Sequence, residues 1–253
     1  MDGCGLLGIA AFQPHVLVSH VLPLLSFVSF PFLLSFVRLA LLLTSLLAAG
    51  AEASIIRGYG SGALVGGDLT DPENNGNPIA NQNYNAVFRS SDANGFNGEG
   101  PFNVFDNQVG GGADKWCCGS GNVWVEADLG KKYVLTSFTA ASANDEAGRD
   151  SSHWQIQGSN DGINYFTIFA YNNDNVSAWA SRYQVNQYFV GTDFSAPAAY
   201  SIFRYQSTAT FNGSTHQISE LEFFGNAVPE PGSTALLALG LATMLLVSRK
   251  RFK

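Results

Sequence analysis

Residues 123–140 read VWVEADLGKKYVLTSFTA. In the first half, apolar residues occupy every second position, and polar or aromatic residues stand between them. The alternation returns from Val134 to Ala140, after Gly-Lys-Lys at 130–132. Successive side chains of a strand point to opposite faces, so a period of two predicts strands that bury one face. We therefore predict two strands here, joined by a turn at residues 130–132.

The rest of the central region repeats this pattern in short segments. Asp161-Gly162 follows one of them and supplies the positive φ that a tight hairpin turn needs. No stretch of about twelve residues has a helical period. Strands of roughly five to eight residues with turns about every ten residues predict an all-β sandwich. The other predicted strands are residues 84–89, 154–158, 165–169, 183–190, 200–205 and 217–224.

Length and charge restrict the function of residues 54–227. These 174 residues are enough for one domain with a sizeable core. They contain 8 Lys and Arg against 17 Asp and Glu, which gives a net charge of −9. A domain so negative is unsuited to binding nucleic acid or anionic lipid through long-range electrostatics.

Five sequence blocks occur in an order that carries a family resemblance. Together they resemble the discoidin, or coagulation-factor V/VIII type C, family. The resemblance implies a galactose-binding-like jelly-roll sandwich of eight strands, with ligand-binding loops grouped at one end. Members bind sugars, phospholipid head groups or protein partners, and the module usually has no catalytic activity. The blocks are Pro101–Asp106, Lys115-Trp116, Trp124–Gly130, Trp154–Gly162 and Ile218–Gly225.

Catalytic motifs are missing from the domain. It contains only two histidines, His153 and His216, and it has no Gly-x-Ser-x-Gly, Ser-x-x-Lys or His-Glu-x-x-His sequence. Carboxylates are numerous, but their spacing singles out no pair for glycosidase chemistry. We therefore predict that the protein is not an enzyme.

The family resemblance also implies a structural Ca²⁺. Asp106 and Glu220 would supply carboxylate oxygens, and loop carbonyls would complete the six to eight oxygen ligands that this cation takes. The family's usual Asp-Gly-Asp reads Asp106-Asn107-Gln108 here, so Asp114 is the expected replacement for the second acid. The alternative is that Asp106 caps a turn and Glu220 is a solvated strand residue.

A sugar site would need planar polar groups and an aromatic platform at a loop end. Arg149 could donate two hydrogen bonds to vicinal hydroxyls, or it could instead pair with Asp150. His153 could be an ordinary loop residue, and Trp154 is expected in the core. The candidate ligand-binding residues are Asn144, Asp145, Arg149, His153 and Trp179.

Cys117 and Cys118 are the only cysteines of residues 54–227. An exported chain favours oxidised cysteine. Neighbouring Cα atoms lie about 3.8 Å apart, below the roughly 4.4–6.8 Å of a relaxed disulfide. A vicinal disulfide, free buried thiols and an intermolecular bridge therefore all stay open. A structural role is predicted, because there is no Cys-x-x-Cys motif and no histidine is placed to complete a zinc site.

Residues 228–253 combine three signals. Pro229-Glu230-Pro231 precedes an apolar run from Ala235 to Val247, and basic residues follow at 249–253. A helix that is apolar on every face predicts a transmembrane segment whose basic end stays cytoplasmic. The arrangement resembles the PEP-CTERM sorting signal of Gram-negative bacteria that make extracellular polysaccharide. This resemblance implies that an exosortase-like protease cuts the tail, and an ordinary membrane anchor is the alternative.

Residues 1–53 are predicted to be a leader. Arg38 precedes an apolar run, and small residues at 51–53 end it, which predicts a signal peptide cleaved between Ala53 and Ser54. The apolar stretch at 16–37 has two explanations. Either Val37 is the true initiator, or the stretch is an additional membrane segment.

The predicted organisation has four parts: a leader at 1–53, an extension of the sandwich at 54–97, a discoidin-like sandwich at 98–227 and a sorting signal at 228–253. The predicted function is that of an exported carbohydrate-binding or adhesion module of the envelope or exopolysaccharide matrix of a Gram-negative bacterium. The alternative is a structural matrix protein that contacts proteins without binding sugar. The predicted partners are an exosortase-like protease, an extracellular glycan and the membrane, and the only predicted cofactor is Ca²⁺.

Overall fold

The computed structural model describes residues 55–229 together with Gly232 and Leu239. Four short 3-10 helices lie in the connections between strands: Ser61–Ala63, Pro101–Phe105, Gly112–Asp114 and Ala147–Arg149. The strands are β1 Ile55–Tyr59, β2 Val87–Ser90, β3 Trp116–Cys117, β4 Val123–Ala141, β5 Ser151–Ser159, β6 Phe166–Asn172, β7 Gln184–Phe189, β8 Tyr200–Thr210, β9 Gln217–Ile218 and β10 Glu220–Ala227.

Several sequence predictions fall outside the described residues. They concern the leader, the cleavage site between Ala53 and Ser54, Glu230 and Pro231 of the sorting motif, and most of the apolar tail. Pro229 is described and lies two residues beyond β10. Among the described residues, no helix combines the length and the apolar character that crossing a membrane requires.

Strand β4 connects the two layers of the fold. The turn predicted at residues 130–132 is wrong, because the strand continues through these residues to Ala141. Gly130 has a φ of +66°, and the pairing with β8 shifts register between Asp128 and Tyr133. The extra residues form a bulge that bends the strand, so that its two halves enter different layers.

Each half of β4 has its own neighbours. Residues 123–128 lie between β2 and β8, and β5 and β6 extend that layer beyond β8. Residues 133–141 lie between β7 and β10, with β1 beyond β7. All these pairs are antiparallel, and β3 and β9 form a separate small pair. The all-β, jelly-roll-like sandwich predicted from the sequence is therefore confirmed.

Aromatic side chains fill the space between the layers. Phe138 of β4 stacks on Tyr188 of β7 with 4.7 Å between ring centroids, and it meets Trp154 of β5 edge-on at 6.2 Å. Phe203 of β8 lies 5.7 Å from Phe223 of β10. All five side chains are fully buried, as expected of rings that supply most of a core's apolar area.

The Gly- and Asn-rich segment before residue 97 contributes a strand to each layer. β1 pairs with β7, and the strand predicted at 84–89 forms at Val87–Ser90 and pairs with β4. Between them, the Leu69 N–H donates to the Phe223 carbonyl at 2.8 Å, and the Phe223 N–H donates to Asp68 at 3.1 Å. These bonds cover the edge of β10 that β4 leaves free.

Candidate functional site

Four segments meet at one end of the sandwich, and we refer to residues 97–100, 115–119, 142–150 and 211–217 as the loop cluster. The Cys117 N–H donates to the Glu99 carbonyl at 3.0 Å. The side-chain amide of Gln217 donates to the Glu146 carbonyl at 2.9 Å. The Asn212 N–H donates to the Gly148 carbonyl at 2.7 Å. Segments remote in sequence are thus fixed to one another by hydrogen bonds to backbone carbonyl groups.

Lys115 is the centre of the loop cluster. Its Nζ lies 2.9 Å from Asn144 Oδ1, 3.2 Å from both carboxylate oxygens of Asp145 and 3.3 Å from Glu99 Oε1. The Lys115 side chain is 2% exposed, whereas the Asp145 and Glu99 side chains are 46% and 39% exposed. A buried ammonium group requires such partners, so Lys115 holds three solvent-facing polar groups in fixed positions.

Arg149 joins this group, but not through the pairing with Asp150 that was one alternative. Its Nη1 lies 3.5 Å from Asp145 Oδ2. Asp150 is fully buried and pairs instead with both terminal nitrogens of Arg182, at 2.7 Å for the Nη1 contact. Ser177 also donates to Asp150 at 3.0 Å. Asp150 therefore anchors the base of the loop, and Arg149 is left with its guanidinium at the surface.

Trp179 does not provide the expected platform. It is 2% exposed, its Nε1 donates to the Ala140 carbonyl at 3.0 Å, and its ring stacks on Trp154. Its burial corrects the prediction of a ligand-facing ring. His153 lies in β5, where its Nδ1 is 3.4 Å from Asp174 Oδ1 and 3.2 Å from Ser152 Oγ. Neither residue contacts the Lys115 group among the described contacts.

Cys117 and Cys118 form a disulfide with each other. Cys117 is 8% exposed and lies opposite Gln217 in the β3–β9 pair, whereas Cys118 is exposed. The Cys118 sulfur lies 3.6 Å from Glu99 Oε2. These three side chains are also the one group of potential metal ligands within 4.8 Å of one another in the described part of the chain. A disulfide offers no thiolate, so this form of the pair is not a metal site.

Asp106 and Glu220 form a separate acidic pair. Asp106 is 7% exposed and Glu220 is 1% exposed, so Glu220 is not the solvated residue of the alternative reading. Asp106 does cap a turn, because its Oδ1 accepts a hydrogen bond from the Gln108 N–H at 3.0 Å. Each of the two carboxyl groups influences the pKa of the other. Burial raises the pKa of Asp106 to about 7, and burial and the charge of Asp106 raise the pKa of Glu220 well above its usual value.

The acidic pair suits a cation. Glu220 Oε2 is buried and has no hydrogen-bond partner. The neighbouring Glu222 contrasts with it, because Glu222 accepts hydrogen bonds from the Val65 and Gly66 N–H groups and from the Thr139 hydroxyl. Asp106 also lines a cleft of about 430 Å³ that leads to solvent. A hard cation would neutralise the repulsion between the two carboxylates and use the unpartnered oxygen.

Asp114 is placed near this pair without completing a three-acid cluster. It lines the same cleft, and its charge contributes to the raised pKa of Asp106. Its carboxylate does not come within 4.8 Å of both other acids. The backbone carbonyl of Asp114 accepts a hydrogen bond from Ser219 at 2.8 Å.

Sequence reasoning missed Lys115 and Glu99 as members of the site. Lys115 stands inside one of the family blocks, but nothing next to it in sequence marks it as buried. Its partners are 16 to 30 residues away, so only the folded chain brings them together.

Family comparison gives two matches. The F5/8 type C domain matches residues 86–194, and the PEP-CTERM protein-sorting motif matches residues 227–251. The block at 218–225 lies beyond the first match. A comparison with curated proteins found no match.

Solved structures of similar fold come from several bacteria. CpGH89CBM32-5 from Clostridium perfringens, in complex with GalNAc-β-1,3-galactose, is 15% identical over 56% of this chain and 96% of its own, with a TM-score of 0.38. Chitosan-binding module 1 of a chitosanase/glucanase from Paenibacillus sp. IK-5 is 18% identical over 62% and 98%, with a TM-score of 0.41. CBM62 from Clostridium thermocellum Xyl5A is 19% identical over 56% and 96%, with a TM-score of 0.41. By these matches, residues 86–194 are similar to the F5/8 type C domain and residues 227–251 to the PEP-CTERM protein-sorting motif.

Proposed function

We propose that the protein is an exported, non-catalytic carbohydrate-binding module whose glycan site is the loop cluster. The observation that carries the proposal is the group held by Lys115. Asp145 and Arg149 offer acceptors and donors that are partly exposed, yet Lys115 fixes Asp145 and Asn144 in place. Side chains that are already held in place lose little conformational entropy when a sugar binds, so the entropic cost of binding is lower.

The chemistry of this group fits sugar hydroxyls. A carboxylate accepts hydrogen bonds from two neighbouring hydroxyls, and a guanidinium donates two in parallel. Asp145 and Arg149 present both kinds of group within 3.5 Å of each other. One hydroxyl of a sugar ring would therefore donate to Asp145 while a neighbouring hydroxyl accepts from Arg149. Because this needs two hydroxyls in a fixed relative orientation, the site would be selective for sugar stereochemistry.

The sorting motif supports delivery to the outside of the cell. We propose that an exosortase-like protease recognises Pro229-Glu230-Pro231 and removes the tail after export. The predicted transmembrane helix would then be a temporary tether. The module would reach the envelope or extracellular polysaccharide matrix of a Gram-negative bacterium, where its glycan ligand is found.

A structural Ca²⁺ between Asp106 and Glu220 is part of this proposal. The two carboxylates, with carbonyl oxygens of the loop at 106–114, would hold it. The ion would supply positive charge where two buried acids otherwise repel each other. Its role is to fix the loop, and the glycan site lies in other residues.

A glycan array tests the proposed function. The full chain, purified in a detergent without a sugar head group, is applied with Ca²⁺ and again with EGTA. Saturable binding to galactosides or other pyranosides is the expected result. Absence of any binding, with retention in the polymer fraction through another protein, would instead support the structural matrix protein.

Thermal melting with and without a chelator tests the proposed calcium site. A ligand present at about 100 times its Kd stabilises the folded state by roughly 2.7 kcal/mol, so EGTA should lower the Tm of the wild type by several degrees. The Glu220→Gln variant should melt at the same temperature in Ca²⁺ and in EGTA. An unchanged wild-type Tm after chelation would rule the structural ion out.

A further inference from the structure

We propose that the Cys117–Cys118 disulfide is the apolar platform of the glycan site, and that the site selects a neutral pyranoside over a uronate. This inference rests on the proposed function. It names the class of sugar that the loop cluster binds and the apolar surface against which the sugar ring packs. Polar groups alone bind sugars weakly, because one face of a pyranose ring carries C–H groups that need an apolar surface.

The loop cluster has no exposed aromatic ring. Its Trp116 is fully buried, and its Phe211 is half-buried. The exposed aromatic side chains of the described residues are Tyr59, Phe166 and Tyr183. None of the three belongs to the loop cluster, although the Tyr183 N–H donates to the Ala143 carbonyl of the cluster at 3.3 Å. Within the cluster itself, the surface that aromatic rings usually provide comes from another kind of side chain.

The disulfide lies where that surface is needed. Cys118 is exposed, and its sulfur is 3.6 Å from one carboxylate oxygen of Glu99. The other oxygen of Glu99 lies 3.3 Å from Lys115 Nζ, which in turn contacts Asp145. The exposed sulfur and the polar group are therefore one continuous surface. Disulfide sulfur is polarisable and makes poor hydrogen bonds, so it suits C–H groups rather than hydroxyls.

Strand pairing and hydrogen bonds hold the disulfide in a fixed position. Cys117 pairs with Gln217 across the β3–β9 ladder, and the Gln217 side chain bonds to the Glu146 carbonyl of the neighbouring loop. The Cys117 N–H also bonds to the Glu99 carbonyl. The platform and the polar group are thus held by the same hydrogen bonds.

Stabilisation of the folded state does not account for this disulfide bond. A disulfide stabilises a protein mainly by closing a long loop of the unfolded chain. Cys117 and Cys118 are adjacent in sequence, so their bond closes almost no chain. The disulfide bond therefore affects the exposed surface at Cys118 more than the stability of the fold.

The charge around the platform determines the ligand class. Glu99, Asp145 and Glu146 carry three negative charges there, and Lys115 and Arg149 carry two positive charges. The local net charge is −1, and that of residues 54–227 is −9. A uronate carboxylate would be repelled, whereas the hydroxyls of a neutral sugar can donate to Glu99 and Asp145.

The experiment compares matched sugars on the full chain by isothermal titration calorimetry, again in a detergent without a sugar head group. The probes are methyl β-pyranosides of galactose, glucose and N-acetylglucosamine, together with galacturonate and glucuronate. We expect wild type to bind a neutral probe more tightly than its uronate counterpart. The Cys117→Ala/Cys118→Ala variant should bind that probe roughly tenfold more weakly.

Reduction of the wild type with a phosphine breaks the S–S bond without a substitution, so that the two sulfur atoms no longer form one fixed surface. It should also weaken binding, and it decides the outcome if the double variant does not fold. Tyr183→Asn removes the exposed ring whose backbone N–H donates to Ala143 of the loop cluster, so it tests an aromatic platform as the alternative, and it should leave the affinity unchanged. Its φ of +61° is one that asparagine tolerates.

Unchanged affinity after loss of the disulfide, in protein that retains its Tm, would overturn the platform and leave the proposed function standing. So would tighter binding of the uronate or a large loss in Tyr183→Asn. Wild type that binds none of the probes and no glycan of the array would overturn both.

Discussion

His216 is fully buried beside Trp116 and Tyr205, whose hydroxyl lies 3.0 Å from His216 Nε2. Burial lowers the pKa of His216 from 6.5 to about 3. The unfolded chain therefore binds a proton between these pH values and the folded chain does not. His216 stabilises the protein above pH 6.5, and this stabilisation is lost progressively as the pH falls toward 3.

The His216→Gln variant should show this loss directly, because glutamine keeps a polar contact for Tyr205 but does not titrate. Urea denaturation from about pH 7 to about pH 4 measures the free energy of unfolding of both proteins. Wild type should lose several kcal/mol more than the variant over that range. Parallel pH profiles of the two proteins would contradict the assignment.

The sequence predicts some members of the group around Lys115 and misses others for a common reason. Asn144, Asp145 and Arg149 were accessible to prediction because their loop is polar and precedes a predicted strand. Lys115 and Glu99 were not, because their partners lie far away in the chain. The polar residues around Trp179 favour an exposed ring, and only its stacking on Trp154 in the folded chain reveals its burial.

Among the strands, Glu126 of β4 joins its own strand to β2 and β8. Glu126 of β4 is 2% exposed and accepts hydrogen bonds from Arg89 of β2 at 2.8 Å and from Arg204 of β8 at 2.9 Å. The Tyr165 hydroxyl donates to it at 2.7 Å. The Arg204 guanidinium lies between the rings of Trp124 and Tyr165, at 3.9 and 3.6 Å from their centroids.

Glu126→Gln leaves two arginines facing a neutral group and should destabilise the protein by about 3 kcal/mol. Asp128→Asn is the matched control on the same strand and face. Asp128 is 28% exposed, pairs with the outer nitrogen of Arg89 and accepts a hydrogen bond from the Gly130 N–H at 3.0 Å. Asparagine keeps an oxygen for the Gly130 N–H, so this substitution should cost less than about 1 kcal/mol. Chemical denaturation measures both changes. Equal losses would show that Glu126 has no special role in joining the strands.

Strand β4 also shows how far periodicity predicts the fold. The two alternating segments, 123–129 and 134–140, both form strand as predicted. The residues between them were assigned to a turn because Gly-Lys-Lys has turn composition, and a bulge has the same composition. Long-range pairing with β8 on one side and with β7 and β10 on the other decides between a reversal and a bend.

The proposed sorting of the protein depends on three adjacent residues. Replacing all three residues of Pro229-Glu230-Pro231 by alanine should leave the tail attached, because the protease would lose its recognition sequence. Intact mass and cell fractionation of a chain tagged before residue 228 measure the processing. Val228→Ala is the control and should be processed as wild type. Normal removal of the tail from the triple variant would refute exosortase-type sorting at this motif.

The central claim is that the loop cluster binds a glycan through the group that Lys115 holds. The most direct measurement is calorimetric titration of the strongest glycan of the array into wild type, Asp145→Asn and Asp174→Asn. A hydrogen bond to a charged group contributes roughly 1.5–3 kcal/mol, so Asp145→Asn should bind about tenfold or more weakly. Asp174 lies outside the loop cluster, and its variant should bind as wild type does. Asp145→Asn keeps an amide oxygen for Lys115, and Glu99 still pairs with Lys115, so both variants should be folded at the titration temperature. Equal affinity of wild type and Asp145→Asn would contradict the account.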